Sequence, residues 1–134
     1  MPDENKKKIL IIDDDSSILE MYSITLKAEG FEVLSASNGK EGLKKAIAET
    51  PDLILLDIMM PVMDGLSMLQ KLRRENQYGK NVPVILLTNM SAGGKEDIIE
   101  RVAKTEPAYY IVKINTSPDE LVEKIKECME EIKE

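Results

Sequence analysis

Asp52-Leu-Ile-Leu-Leu-Asp57-Ile-Met-Met-Pro61-Val-Met-Asp64-Gly65 contains an apolar run, Leu53 to Leu56, that ends abruptly in a carboxylate, Asp57. A run this short, closed by a proline and an Asp-Gly pair, predicts a strand buried on both faces. Pro61 blocks continuation of the strand, and Asp64-Gly65 offers turn or cap chemistry before a new helix. The acid then stands at the C-terminal edge of a sheet, where open α/β folds build their sites. Taken alone, Asp57 could simply end a strand.

Upstream, Lys6-Lys7-Lys8 leads into Ile9-Leu-Ile-Ile12, a second buried strand, which ends in Asp13-Asp14-Asp15. Ser16 and Ser17 offer capping for a helix with Ile18, Leu19, Tyr22 and Leu26 at helical spacing, stopped by Gly30. Phe31 to Ala36 alternates imperfectly, as an edge strand does. Asn38-Gly39 turns the chain, and Leu43, Ala46 and Ile47 mark a short helix ending before Pro51.

Downstream, a helix from about Gly65 to Asn76 turns Leu66, Leu69 and Leu72 inward. Tyr78-Gly79-Lys80-Asn81 reads as a loop. Val82 to Leu87 is a strand ending in Thr88, with Pro83 tolerable near its start. Ser91 to Gly94 is a loop before a short helix carrying Ile98, Ile99 and Val102. Ala108 to Val112 is a fifth strand, ending in Lys113. Ser117 and Pro118 open a last helix with Leu121, Val122, Ile125, Cys128, Met129 and Ile132 on its apolar stripe. Strand and helix thus alternate five times, which implies a parallel sheet covered by helices on both faces. A single reversal of strand order brings the ends of the first and third strands together at a switch point.

The chain has 134 residues, 43% of them hydrophobic, which suits one domain with one core. No apolar run is long enough to span a bilayer, and the polar N-terminus does not resemble a signal peptide. A net charge of −7 argues against nonspecific binding to nucleic acid or anionic lipid. The single cysteine, Cys128, reads as a buried core residue and fits a reducing cytoplasm. With no histidine, the chain has no Ser-His-Asp triad, no imidazole-ligated zinc and no phosphohistidine of its own.

At the strand ends stand Asp13 and Asp14, Asp57, Thr88 and Lys113. Each has an ordinary reading alone: a solvated helix start, a strand terminus, a strand-end hydroxyl, a surface charge. Together they line one rim. Crowded carboxylates repel, so a cation is the expected compensation, and oxygen ligands suit Mg²⁺ before Ca²⁺. Metal, lysine and hydroxyl are the means of holding a phosphoryl group, and a carboxylate among them can accept it.

The motifs Ile-Leu-Ile-Ile-Asp13-Asp14-Asp15, Asp57-Ile-Met-Met-Pro61-Val-Met-Asp64-Gly65, Leu-Leu-Thr88 and Tyr110-Ile-Val-Lys113 resemble the response-regulator receiver domains of two-component signalling. The likeness runs from about Lys8 to Glu131. It implies a flavodoxin-like, doubly wound α/β fold with a five-stranded parallel sheet, strand order 2-1-3-4-5, and five helices on two faces. It makes Asp57 the phosphoacceptor and assigns Mg²⁺ to Asp13, Asp14, Asp57 and the backbone carbonyl of Met59. Thr88 and Lys113 bind the phosphoryl group, Thr88 and Tyr110 act in switching, and Met59, Asn89 and Met90 tune the lifetime of the mark. The implied partners are a histidine kinase or histidine phosphotransfer protein and an unknown downstream protein, with no direct nucleic-acid or membrane contact and a cytoplasmic location. The chain is expected to be a single receiver, residues 1–134, without an output domain. It is no enzyme beyond catalysing its own phosphorylation and dephosphorylation. The sequence departs from the family at Ile114, where receivers usually have proline, often with a cis bond, and at Asn89, where Ala or Gly is common.

A haloacid-dehalogenase-like phosphatase is the enzyme alternative, with Asp13 and Asp15 as its acid pair and Thr88-Asn89 as its second motif. It lacks a late acidic pair at a strand end and leaves Asp57 without a role. A flavodoxin-like cofactor binder would need a phosphate cradle where three aspartates stand. A degenerate receiver used only as a docking module is the remaining alternative, although every phosphoryl-handling position is filled.

Overall fold

In the computed structural model, residues 6–58, 60, 62–88, 109–112 and 117–132 are described, with backbone alone at 88, 109–112 and 130–132. Five strands form one parallel sheet: β1 (Lys8–Ile12), β2 (Glu32–Ala36), β3 (Leu53–Asp57), β4 (Val84–Thr88) and β5 (Tyr109–Val112). Their order is β2-β1-β3-β4-β5. The described helices are α1 (Ser16–Ala28), α2 (Gly39–Glu49), α3 (Gly65–Glu75), α4 (Gln77–Asn81) and α5 (Pro118–Ile132).

The continuous apolar runs are explained by burial on both sheet faces. Alternate residues of β1, β3 and β4 point to opposite sides. Leu10, Ile12, Ile54, Leu56, Val84 and Leu86 pack with Ala46 of α2 and with Leu66, Leu69 and Leu72 of α3. Ile9, Ile11, Leu53, Leu55, Ile85 and Leu87 pack with Tyr22 and Leu26 of α1 and with Leu121, Val122, Ile125 and Cys128 of α5. Cys128 is thus a core residue. Edge strand β2 is only half covered, its Val33 and Leu34 lying against opposite clusters. Among the described residues no helix is long and apolar enough to cross a membrane.

Local chemistry differs from the sequence expectation at three places. The α1 cap is Asp15, not Ser16 or Ser17: its carboxylate accepts from the N–H groups of Ser17 and Ile18 at 2.9 and 3.4 Å. Asn38-Gly39 is a helix start rather than a turn, with the Asn38 side chain accepting from the Glu41 N–H at 2.8 Å. Residues 78–81 belong to α4 rather than to a loop. Asn76 caps that helix by accepting from the Gly79 N–H at 2.8 Å. The Tyr78 hydroxyl donates to the Pro51 carbonyl at 2.6 Å, and the Arg73 guanidinium donates to the carbonyls of Gly79 and Val82. Burial, with the nearby Asp52 charge, pushes the Tyr78 hydroxyl pKa up, so the hydroxyl keeps its proton. Strand β4 accordingly begins at Val84. Pro83, which has no N–H, contributes its carbonyl to Ile54 at 3.1 Å. The expected helix around Ile98, Ile99 and Val102, and the loop before it, lie outside the described residues.

Substituting Asn76 by Ala removes the α4 cap, and a loss of about 1 kcal/mol is expected. Urea unfolding of parent and variant checks this, as a lower midpoint with an unchanged slope.

Candidate functional site

Parallel pairing sets the site. Ile12 of β1 lies beside Leu56 of β3, so the residues that follow, Asp13 and Asp57, stand level at adjacent strand ends. On the far side of β3, Asp57 pairs with Leu87, and Thr88 comes one step later beside Val112 of β5. Backbone bonds hold this edge. The Asp13 N–H donates to the Ala36 carbonyl at 3.1 Å, and the Ile58 N–H donates to the Leu87 carbonyl at 3.1 Å.

The carboxylates of Asp13, Asp14 and Asp57 converge, each offering one oxygen within 4.8 Å of the others. Asp13 and Asp57 are buried, at 1% and 4% exposure, while Asp14 is exposed. At such a separation, and an effective dielectric of about 20, two full negative charges repel by about 3 kcal/mol. The donor set is all oxygen, which suits a hard divalent cation. The exposed Asp14 leaves the cluster a way in from solvent. Asp15 is not part of the cluster. Its N–H donates to the Asp13 carboxylate at 3.0 Å, and its own carboxylate caps α1.

After Asp57 the chain folds back sharply. The Gly65 N–H donates to the Ile58 carbonyl at 2.9 Å. A Cβ at Gly65 would overlap the Asp57 carbonyl oxygen, and one at Gly39 would overlap the Met63 carbonyl oxygen. Asp64 caps α3 by accepting from the Ser67 N–H at 2.8 Å. Val62 holds a φ of +70° and is 79% exposed. That region is uncommon for any L-residue and an outlier for a β-branched one. The sequence marked Asn38-Gly39 as a turn and Asp64-Gly65 as turn or cap chemistry. It held no sign that both glycines are needed for close backbone approach.

Thr88 and Tyr110 are placed by backbone in β4 and β5; their side chains lie outside the described residues. So do Met59, Asn89, Met90, Lys113 and the Lys113–Ile114 bond.

A family model described as the response regulator receiver domain matches residues 9–126. The probable transcriptional regulator ycf27 of Porphyridium aerugineum is 38% identical over 129 residues, covering 95% of this chain and 50% of that protein. The DNA-binding dual master transcriptional regulator RpaA of Synechocystis is 43% identical over 81 residues, covering 60% of this chain and 33% of that protein. The chain thus spans half or less of the length of these curated relatives. The expectation of no direct nucleic-acid contact therefore does not extend to a protein of the relatives' length. Among solved structures, a CheY-like receiver domain protein from Methanospirillum hungatei superposes with a TM-score of 0.84 at 34% identity, covering 95% of this chain and 96% of that one. With nearly the whole chain matched in both sequence and fold, it belongs to the response regulator receiver domains of two-component systems.

Proposed function

We propose that this chain takes a phosphoryl group from a histidine kinase or histidine phosphotransfer protein onto Asp57, in the cytoplasm, with Mg²⁺ held at Asp13, Asp14 and Asp57. The observation that carries the reading is the convergence of these three carboxylates within 4.8 Å at adjoining strand ends, with Asp14 open to solvent. In the transfer, an Asp57 oxygen forms a bond to phosphorus. The bond from phosphorus to the donor imidazole nitrogen breaks, and its electron pair stays with the imidazole. Bound Mg²⁺ offsets the charge on the phosphoryl oxygens. Asp13 and Asp14, with the Met59 carbonyl, hold the ion, while the Thr88 hydroxyl and the Lys113 ammonium bond the phosphoryl oxygens. Thr88 and Tyr110 pass the change to the partner-binding face, whose two-state equilibrium shifts toward a downstream protein. The chain accepts one phosphoryl group and releases it, with no separate substrate turned over. The engagement of Asp15 as the α1 cap speaks against its use with Asp13 as a phosphatase pair.

Asp57→Asn is expected to abolish labelling by acetyl phosphate while the fold survives, because losing one acid relieves repulsion at the rim. Labelling and circular dichroism check this together; full labelling of the variant on another residue overturns the assignment.

Mg²⁺ should raise the melting temperature, since it binds the folded chain. Asp14→Ala should weaken that binding far more than Asp15→Ala, whose main loss is the α1 cap, about 1 kcal/mol. Calorimetric titration of both variants decides; equal affinities refute the ligand assignment.

The phosphorylated form should be long-lived. Loss requires an in-line water, and the resemblance puts Met59 and Met90 beside its path, where a thioether orients water poorly. Met59→Asn or Met90→Glu should speed the decay of labelled protein after donor removal. Fast decay of the parent, unchanged by either substitution, removes these methionines from the account.

A further inference from the structure

We infer that Gly39 is a positioning residue for the acidic site: lacking a side chain, it lets the start of α2 seat on the Met63 carbonyl and so fixes the spacing between the Asp13–Asp14 side and the loop after Asp57. The inference rests on the proposed role of Asp57 and its neighbours in holding Mg²⁺ and the phosphoryl group.

Local conformation does not call for glycine here. Among the described residues the positive-φ glycine is Gly30, not Gly39. Within a helix Ala is favoured over Gly by about 1 kcal/mol, so on local grounds Gly39→Ala would be neutral or helpful. The neighbourhood reverses that expectation. Besides the overlap with the Met63 carbonyl oxygen, a Cβ at Gly39 would lie 3.1 Å from both the carbonyl carbon and the Cβ of Met63. Two of these three atoms are backbone, which no change of rotamer moves aside.

Gly39 lies between the two halves of the site. On one side, α2 is joined through Asn38 to the end of β2, where the Ala36 carbonyl accepts from the Asp13 N–H. On the other side, Met63 precedes Asp64, the α3 cap, and Gly65, which abuts the Asp57 carbonyl and bonds Ile58. Relief of the overlap therefore moves either the Asp13 side or the Asp57 side. A backbone overlap of this kind needs a shift on the order of 1 Å, and a misplacement of that size costs up to about 100-fold at a reacting centre. Val62 adds a second sign that the loop is held from outside. A β-branched residue stays at φ +70° only where its surroundings impose it, and its neighbour Met63 is the residue seated on Gly39.

The test compares the parent, Gly39→Ala and Gly79→Ala. A Cβ at Gly79 would overlap the Leu72 carbonyl oxygen, a backbone clash of the same kind, but α4 leads into the opposite end of β4. Gly39→Ala should raise the Mg²⁺ dissociation constant and slow labelling by acetyl phosphate, each by roughly tenfold or more. It should also speed hydrogen exchange of the Gly65 amide in metal-free protein. Gly79→Ala should lose stability yet keep the parent's Mg²⁺ affinity and Gly65 exchange. If Gly39→Ala does not fold, Asn38→Ala replaces it: it frees the start of α2 by removing the bond from Glu41 without adding atoms. It should weaken Mg²⁺ binding about threefold, less than a steric wedge does, and speed Gly65 exchange. Parent-like Mg²⁺ affinity and Gly65 exchange in the folded variant overturn the inference. Failure of the parent to bind Mg²⁺ instead overturns the reading of the site, and the metal-free exchange comparison still decides whether Gly39 holds the loop.

Discussion

Parallel pairing of β1 with β3, with Ile12 beside Leu56, brings the buried carboxylates of Asp13 and Asp57 to one edge of a sheet whose interior is apolar. The packing on both faces leaves the strand ends as the place where polar groups can meet solvent. Hydrophobic burial and charge repulsion act against each other there. Each fully buried Leu or Ile of the sheet contributes about 1.5–3 kcal/mol, so many apolar side chains hold a rim that its own charges push apart. A cation that bound there would add to the stability of a fold whose apolar core is already in place.

The acidic triplet is divided by geometry. Asp13 is buried and accepts from the Asp15 N–H; Asp15 caps α1; Asp14 is exposed and joins the cluster with Asp57. Three identical side chains thus meet three environments within one turn of chain. Buried, hydrogen-bonded groups stay where they are put, while an exposed one can adjust to an incoming ion. This suits a site that must be firm at its base and open at its mouth.

The segment after Asp57 is constrained at both described ends, by the Gly65–Asp57 approach and by the seat of Met63 on Gly39. Among its described residues, Val62 is strained, and it is exposed to solvent. Strain of this sort, about 1–3 kcal/mol per residue, survives only where packing overrides it. Here the contacts include close backbone approach at Gly65 and Gly39, which tolerates little drift, together with the Met60 and Met63 side chains packed on the core.

The alternation of apolar runs with helical stripes was enough to read the α/β class, because buried strands and amphipathic helices leave distinct periodicities. The acids were legible for the same reason: a charge that closes an apolar run must lie at the sheet's edge. Local hydrogen-bond competition was not legible. Asp15 rather than Ser16 caps α1, and Asn76 turns an apparent loop into α4, because the winning acceptor depends on where neighbouring backbone groups point. Sequence position and the family resemblance singled out Asp14 over Asp15 beside Asp13 and Asp57, and the three carboxylates of Asp13, Asp14 and Asp57 do converge. That Asp15 is instead spent on capping α1 was not legible. The reason for Gly39 is likewise tertiary. Its φ is not in the left-handed region that favours glycine, and it is Met63, 24 positions away in the chain, whose carbonyl and Cβ leave no room for a side chain. Sequence by itself determined which residues stand at the strand ends; tertiary structure decided which of them converge, because convergence depends on strand register and on backbone contacts that no local pattern encodes.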